Sequence, residues 1–552
     1  MKSLVLHDRL VVLLAMLLLV GASSLEALAW EGMPTPPLRV EGNQLKDPAG
    51  NSVLLHGWMQ PTASYFNGRG KWYIDPWNFK QLRSLIVRAG VNDLLSYMNE
   101  VATVMSDTAP RYGRDHGWYC SFVRVNTDSV GGWSSADGLI DPEQFDAWIA
   151  NFLVPYANHL RTRGIYLVLC ATGPVVVNVD GDMSKNASQG TQARLLTFWE
   201  EVASAPGVKN ADNIMFELMN EPVKIESVPG NGRWGMGSAV YFKAFAEWLQ
   251  PIVDVIRGTG ANNVIWVPTL EWQGSPHQWV DFPFSGENIG IAAHFYPAYG
   301  GVFDNAQALQ SLWQRQYKPA ADRWPMIITE MFWTPYPDDP RNLVNGSTAA
   351  FGTNIKKAID DQGNVSYLVG FIGDLLEDLN ETRPSDCSLS TREGAQAYFD
   401  WLKDYASQSK ISHGYRAVPG KIEAERYERM SGVRVESSPE NLSDRFIRCT
   451  DSGSWASYLI DAAAAGSYVM RFRIAAGADA NGEHGEVAVK HESGQTLGVL
   501  TADPAQVEGW HVGSIVIDLT EGEHELVFEF QGEGRVDLDW FELSLMAEDD
   551  SF

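Results

Sequence analysis

Two glutamates in this chain stand where a carboxylate can do chemistry. Phe216-Glu217-Leu218-Met219-Asn220-Glu221-Pro222 is an apolar run ending in an Asn-Glu pair and stopped by proline. Pro325-Met326-Ile327-Ile328-Thr329-Glu330 repeats the design with a single terminal glutamate. Runs of this length read as buried strands, so each glutamate falls at a strand's C-terminal end. Two carboxyls brought together by two strands can hydrolyse a glycosidic bond. One protonates the leaving oxygen, and the other attacks the anomeric carbon or activates water. Helix capping or simple solvation is the rival reading of either glutamate taken alone.

Such a pair needs a scaffold that gathers strand ends, and residues 36–410 carry its pattern. Strands are expected over Val53–Gly57, Phe122–Asn126, Tyr166–Cys170, Ile214–Met219, Val264–Val267, Ile289–Phe295, Met326–Thr329 and Leu368–Ile372. Amphipathic helices such as Pro142–Thr162 and Tyr241–Arg257 fit between them. Continuous hydrophobicity along the strands means that both faces are buried, which predicts an α/β fold, a closed (β/α)8 TIM barrel. Function in such barrels sits at the C-terminal strand ends. There this chain concentrates His56-Gly57-Trp58, Arg124, Asn126, Asn220-Glu221, Glu271-Trp272, His294-Phe295-Tyr296 and Glu330. The span exceeds a minimal barrel, so residues 92–118, 178–190, 224–239 and 375–392 are expected to be extended loops.

The character changes after about residue 411. Residues 411–420 have no Ser/Thr/Pro repeat and read as a short linker. Residues 421–552 alternate in short strands, Tyr468–Ile474, Gly513–Leu519 and His524–Phe530 among them, and predict an antiparallel β-sandwich. That part carries about 26 acidic and 10 basic groups, more than half of the net charge of −27. Charge of this sign repels phosphate, which excludes nucleic acid and favours a neutral partner. The 20 tryptophans offer stacking platforms for sugar faces.

Lys2, the apolar run Leu10–Val20 and the small-residue site Ala27-Leu28-Ala29 form a secretory signal over residues 1–29, its apolar run short for a membrane span. The mature protein, with its catalytic domain over 30–410, is therefore expected to be secreted (extracellular or periplasmic), off the membrane and monomeric. Cys120, Cys170, Cys387 and Cys449 have neither CxxC nor metal-site spacing, and export leaves three disulfide pairings open.

On these motifs the barrel portion resembles glycoside hydrolase family 5. The resemblance implies Glu221 as general acid/base, Glu330 as nucleophile, Asn220 on the sugar 2-hydroxyl and Arg124 keeping Glu330 ionised. It matches His294 and Tyr296 to the family's His-x-Tyr, with Tyr296 close to Glu330, and implies a retaining mechanism without a cofactor. Cellulose or a β-glucan leads as substrate, with mannan, xylan, chitosan, exo-action on shorter glycosides and a purely binding role as alternatives. Arg124 neutralising Glu217 and His294 as a core histidine are the rival readings of those residues. Trp58, Trp72, Trp133, Trp272 and Trp333 are candidates for sugar subsites, with core packing as the alternative for each. Two departures stand out: Leu169-Cys170-Ala171-Thr172 lacks the family's strand-three histidine, and Gly370-Phe371-Ile372-Gly373 lacks its strand-eight tryptophan, for which Trp333 is the candidate substitute.

The C-terminal part resembles a family 6 carbohydrate-binding module through Ile422-Glu423-Ala424-Glu425 and Asp537-Leu538-Asp539-Trp540. That resemblance implies a structural calcium on Glu423, Glu425 and Asp539 and a sugar stacked on Trp510. Cys449 stands in place of the partner tyrosine and Asp537 in place of the usual asparagine.

Overall fold

The computed structural model describes residues 33–61, 94–106, 119–127, 142–171, 188–223, 239–334, 343–377, 383–406, 408, 410–449, 451–477, 485–501, 509–532 and 534–546. The expected signal segment, Trp72 and Trp133 lie outside them. So does most of the loops expected over 178–190 and 224–239.

Eight parallel strands close a barrel: β1 His56–Pro61, β2 Phe122–Thr127, β3 Tyr166–Ala171, β4 Ile214–Glu217, β5 Ile265–Val267, β6 Ile289–His294, β7 Met326–Glu330 and β8 Val365–Phe371. Closure comes from β8 beside β1, with Tyr367 opposite His56 and Leu368 opposite Gly57. Side chains alternate between two cores. Phe122, Tyr166, Val168, Met215, Trp266, Ala292, Ile327 and Leu368 fill the barrel axis, and Leu38 and Leu45 from the hairpin Arg39–Glu41/Gln44–Lys46 pack with them. Val123, Val125, Leu167, Leu169, Phe216, Ile291 and Ile328 face the helices.

Two expectations shift. β1 starts three residues later than its apolar run suggested, so His56 opens the strand instead of closing it. It is buried there, stacked on Tyr405 at 3.9 Å and edge-on to Tyr367. Helix Leu94–Ser106 occupies much of 92–118, because Tyr97, Met98, Val101, Ala102 and Met105 make an apolar stripe at helical spacing.

The C-terminal part is a sandwich of two six-stranded sheets around Ile447, Tyr458, Met470, Phe472, Phe528 and Phe541. The expected linker belongs to it: Arg416–Val418 pairs in parallel with Trp455–Ala462. Barrel and sandwich meet over helix Val154–Thr162. Asn158 donates to Ser437 at 2.9 Å, Tyr427 donates to the Arg161 carbonyl at 3.1 Å, and Arg445 donates to the Gly207 carbonyl at 2.6 Å.

Candidate active site

The strand alternation that fills the barrel axis with apolar groups puts polar ones in its top layer. Two residues beyond Phe122, Val168, Met215 and Ala292 come Arg124, Cys170, Glu217 and His294, all fully buried. The β6–β7 register slips between Ala293 and His294, so β7 carries one extra residue. Such a bulge re-aims side chains, and here both Thr329 and Glu330 reach the axis.

Arg124 organises this layer. Its Nε donates to Glu217 at 2.7 Å and its Nη2 to the other Glu217 oxygen at 2.9 Å. Nη1 reaches Glu330 at 2.9 Å, and Nη2 also reaches Asn220 Oδ1 at 2.7 Å and Cys170 Sγ at 3.3 Å. The two readings of Arg124 are thus both realised, since it pairs with Glu217 and Glu330 together. Burial pushes the Glu217 carboxyl up, but Arg124's charge and hydrogen bonds hold it below the usual glutamate range. Thr329 and Gln273 donate to the same carboxylate at 3.0 and 3.1 Å.

Glu330 accepts from Tyr296 on its second oxygen at 2.9 Å. Its pKa corrects the expectation of a low value. Burial raises it above the ordinary glutamate value, Glu221 adds to the rise, and His294, Arg124 and the Tyr296 hydroxyl pull the other way without prevailing. Part of that opposing pull is absent at neutral pH, because burial lowers His294 to about 4 and leaves the imidazole uncharged.

Glu221 is the more open carboxyl, its side chain 18% exposed against 8% for Glu330. Its backbone takes a positive φ of 43°, and His294 Nδ1 lies 2.9 Å from its Oε1. Oxygens of Glu221 and Glu330 and a ring nitrogen of His294 all fall within 4.8 Å of one another, the one group of three potential metal-binding side chains this close among the described residues. Two carboxyls gathered this closely can attack one face of a sugar carbon and protonate its leaving group, the division of labour of a retaining glycosidase.

The structure corrects two tryptophans. Alternation points Met59 to the axis and its neighbour Trp58 outward, where Trp58 is fully buried against the helices. Trp333 is equally buried: it stacks on Trp401 at 5.4 Å, lies against Phe351 and donates to Thr348, so it does not replace the missing strand-eight platform. Trp272 remains partly exposed, just after β5. Sequence reading missed Gln273, Thr329 and Tyr299. Thr329 was readable from β7 only with its bulge, and Gln273 lies in a turn of no recognisable pattern.

In the sandwich, the three expected calcium ligands do not converge. Asp539 is paired with Arg473, and Glu423 with Lys421 at 2.9 Å. Glu425 turns toward the barrel, where Arg161 and Arg445 lie beside it, yet burial still pushes its carboxyl up to about 7. A dication needs several free oxygens around one point, and this set does not offer them. Trp510 is 36% exposed, with the Arg473 guanidinium 4.9 Å over its ring and Phe446 edge-on at 5.4 Å. Asp537 binds Arg448 with both oxygens, at 2.8 and 2.9 Å. Cys449 faces the sandwich core, and all four cysteines are buried thiols outside any disulfide.

Residues 116–333 match the family model described as Cellulase (glycosyl hydrolase family 5), and residues 423–545 match Carbohydrate binding module (family 6). Cellulase CelDZ1 of Thermoanaerobacterium sp is 32% identical over 108 residues, which is 20% of this chain and 26% of that protein. The chain thus spans about a quarter of the length of the curated relative it matches. Among solved structures, β-glucanase SdGluc5_26A of Saccharophagus degradans in complex with cellotetraose aligns at 18% identity and TM-score 0.47, over 68% of this chain and 95% of that one. CsCBM6-3 of Clostridium stercorarium in complex with cellobiose aligns at 24% identity and TM-score 0.21, over 24% and 98%. The chain thus carries a glycoside hydrolase family 5 cellulase domain matched over residues 116–333 and a family 6 carbohydrate-binding module matched over residues 423–545.

Proposed function

We propose that this protein is a secreted, retaining endo-β-glycosidase acting on cellulose or another neutral β-glucan. The observation that carries the reading is the approach of the Glu221 and Glu330 oxygens to within 4.8 Å at the mouth of the barrel. The relative named a cellulase supports the substrate class, and the net charge of −27 favours a neutral polymer.

In the first step a Glu330 oxygen attacks the anomeric carbon while the carbon–oxygen bond to the leaving sugar breaks. The Glu221 carboxyl gives its proton to that oxygen. Arg124 and Tyr296 each hold one Glu330 oxygen, which fixes the line of attack. Because Arg124 occupies Asn220 Oδ1, the Asn220 amide nitrogen is left to donate to the sugar 2-hydroxyl. An uncharged His294 beside Glu221 exerts no cationic pull toward ionisation, which suits an acid that must carry its proton. In the second step the Glu221 carboxylate takes a proton from water, the water oxygen attacks the same carbon, and Glu330 leaves with its charge restored.

The test is product release from carboxymethylcellulose, mixed-linkage β-glucan, mannan, xylan and chitosan by wild type and Glu330→Ala, with the anomer of the first product followed by NMR. β-Glucan cleavage with retained configuration, lost in the variant, is the expected result. Activity confined to another polymer would move the substrate, inverted product would overturn the mechanism, and silence of the wild type on every polymer would overturn the reading. Export is tested separately by finding the mature N-terminus at Trp30 in culture medium.

A further inference from the structure

We infer that Gln273 is a positioning residue that ties the acid/base Glu221 to the buried Arg124–Glu217 pair, and that its amide sets the aim of the Glu221 carboxyl. This rests on the reading of Glu221 given above. Gln273 is fully buried. Its Oε1 accepts the Glu221 backbone N–H at 2.7 Å, and its Nε2 donates to Glu217 Oε1 at 3.1 Å. The two bonds fix the amide's orientation. Glu217 is a pure acceptor and the Glu221 N–H a pure donor, so a flipped amide would make neither bond.

The backbone bears out the demand for this placement. Glu271, Trp272 and Gln273 follow one another at φ 60°, 60° and 57°, three L-residues in the left-handed region that side chains disfavour. Strain of this kind persists where surrounding contacts over-determine it, and it gathers at functional sites. Here the Trp272 N–H donates to the Pro222 carbonyl at 3.3 Å and Tyr299 donates to the Trp272 carbonyl at 2.7 Å. The turn after β5 is thereby strapped to the turn after β4. Glu221 is itself left-handed at φ 43°, so its side chain points where it does only while that backbone is held. Gln273 holds it from below, and His294 meets the carboxyl from above at 2.9 Å.

Two variants test the inference. Gln273→Leu removes both bonds at similar volume. Gln273→Glu can make both when its carboxyl is protonated, donating O–H to Glu217 and accepting from Glu221, and loses the donor when ionised. Each is assayed on the preferred polysaccharide, which needs acid assistance, and on a dinitrophenyl glycoside, which does not. The Leu variant is expected to lose about tenfold or more extra on the polysaccharide, within the range a positioned acid contributes. The ratio of Glu-variant to Leu-variant activity should fall as pH rises. Equal losses on both substrates with a pH-independent ratio would overturn the inference and leave Gln273 a packing residue. Glu221→Ala, run alongside, separates the two claims. If it shows no leaving-group dependence, the role of Glu221 fails; if it does and Gln273→Leu does not, only the role of Gln273 fails.

Discussion

The barrel mouth and the sandwich surface around Trp510 are built from the same side chains, arginines against carboxylates beside aromatic rings, and they do opposite things with them. In the mouth, closure of eight parallel strands points Arg124, Glu217, Asn220, His294 and Glu330 at one axis, so a single guanidinium holds three partners through four short hydrogen bonds to oxygen. On the open sheet, neighbouring strands present side chains outward and parallel, and the charges settle in small groups along the surface, Arg448 between Asp537 and Glu436 and Arg473 with Asp539. Convergence brings Glu221 and Glu330 together at the mouth, where both can face a substrate. Parallel display leaves the charges satisfied and the aromatic ring partly covered.

The largest difference should appear when one arginine is removed from each region. Arg124→Ala strands Glu217 as a buried, uncompensated charge, which should cost about 3–5 kcal/mol along with all activity. Arg448→Ala removes an arginine that is a quarter exposed and leaves the buried Asp537 with Arg535 at 3.6 Å, so it should cost less, about 1–2 kcal/mol. Chemical denaturation of the two variants measures both. Equal costs would sink the distinction between convergent and parallel display.

Titration sharpens the same contrast at the barrel foot and at the joint. Burial lowers His56 to about 3, so between its unfolded value, about 6.5, and that pH only the unfolded chain is protonated. His56 thus contributes stability above the unfolded value that is lost as pH falls. Glu425 is raised to about 7, so its contribution is present at low pH and lost as pH rises through that value. His56→Phe should therefore gain on wild type below pH 6.5, and Glu425→Gln should gain between about pH 4.5 and 7, each by at most about 1.4 kcal/mol per pH unit. Thermal midpoints across pH 4–8 read both. Slopes of the same sign would show that one of the two environments is misassigned.

Much of this was legible in the sequence because a polar residue ending an apolar run is conspicuous. Glu221, Glu330, Arg124 and His294 all announce themselves that way, and every barrel strand overlaps its expected run. What failed has a common cause: residue type does not say which way a side chain points. Trp58 and Met59 are adjacent, and only the parity of β1 sends one to the helices and the other to Arg124. Trp333 lies three residues past Glu330, where the chain has already turned back onto Trp401. Gln273 was invisible because three consecutive left-handed residues follow no strand or helix period. Glu425 was matched to a calcium site on the motif alone, and a motif does not record that the neighbouring domain brings Arg161 to it.

The smallest effects belong to the sandwich. Removing Arg473 uncovers Trp510, and the lost stacking of about 0.5–1 kcal/mol sets the scale. Arg473→Ala in a Glu330→Ala background should bind cello-oligosaccharide about two- to fivefold tighter, and adding Trp510→Ala should remove that gain, as calorimetry would show. Chelation should do less still. With Asp539 held by Arg473, Glu423 by Lys421 and Glu425 turned to the barrel, these three carboxylates do not wait for calcium, so EDTA and added calcium should both leave the thermal midpoint unmoved. A calcium-dependent rise of several degrees would mean that the cation displaces both ion pairs and draws Glu425 back from the barrel. The sandwich would then gather charges around one point as the barrel does, and the contrast between the two regions would fall.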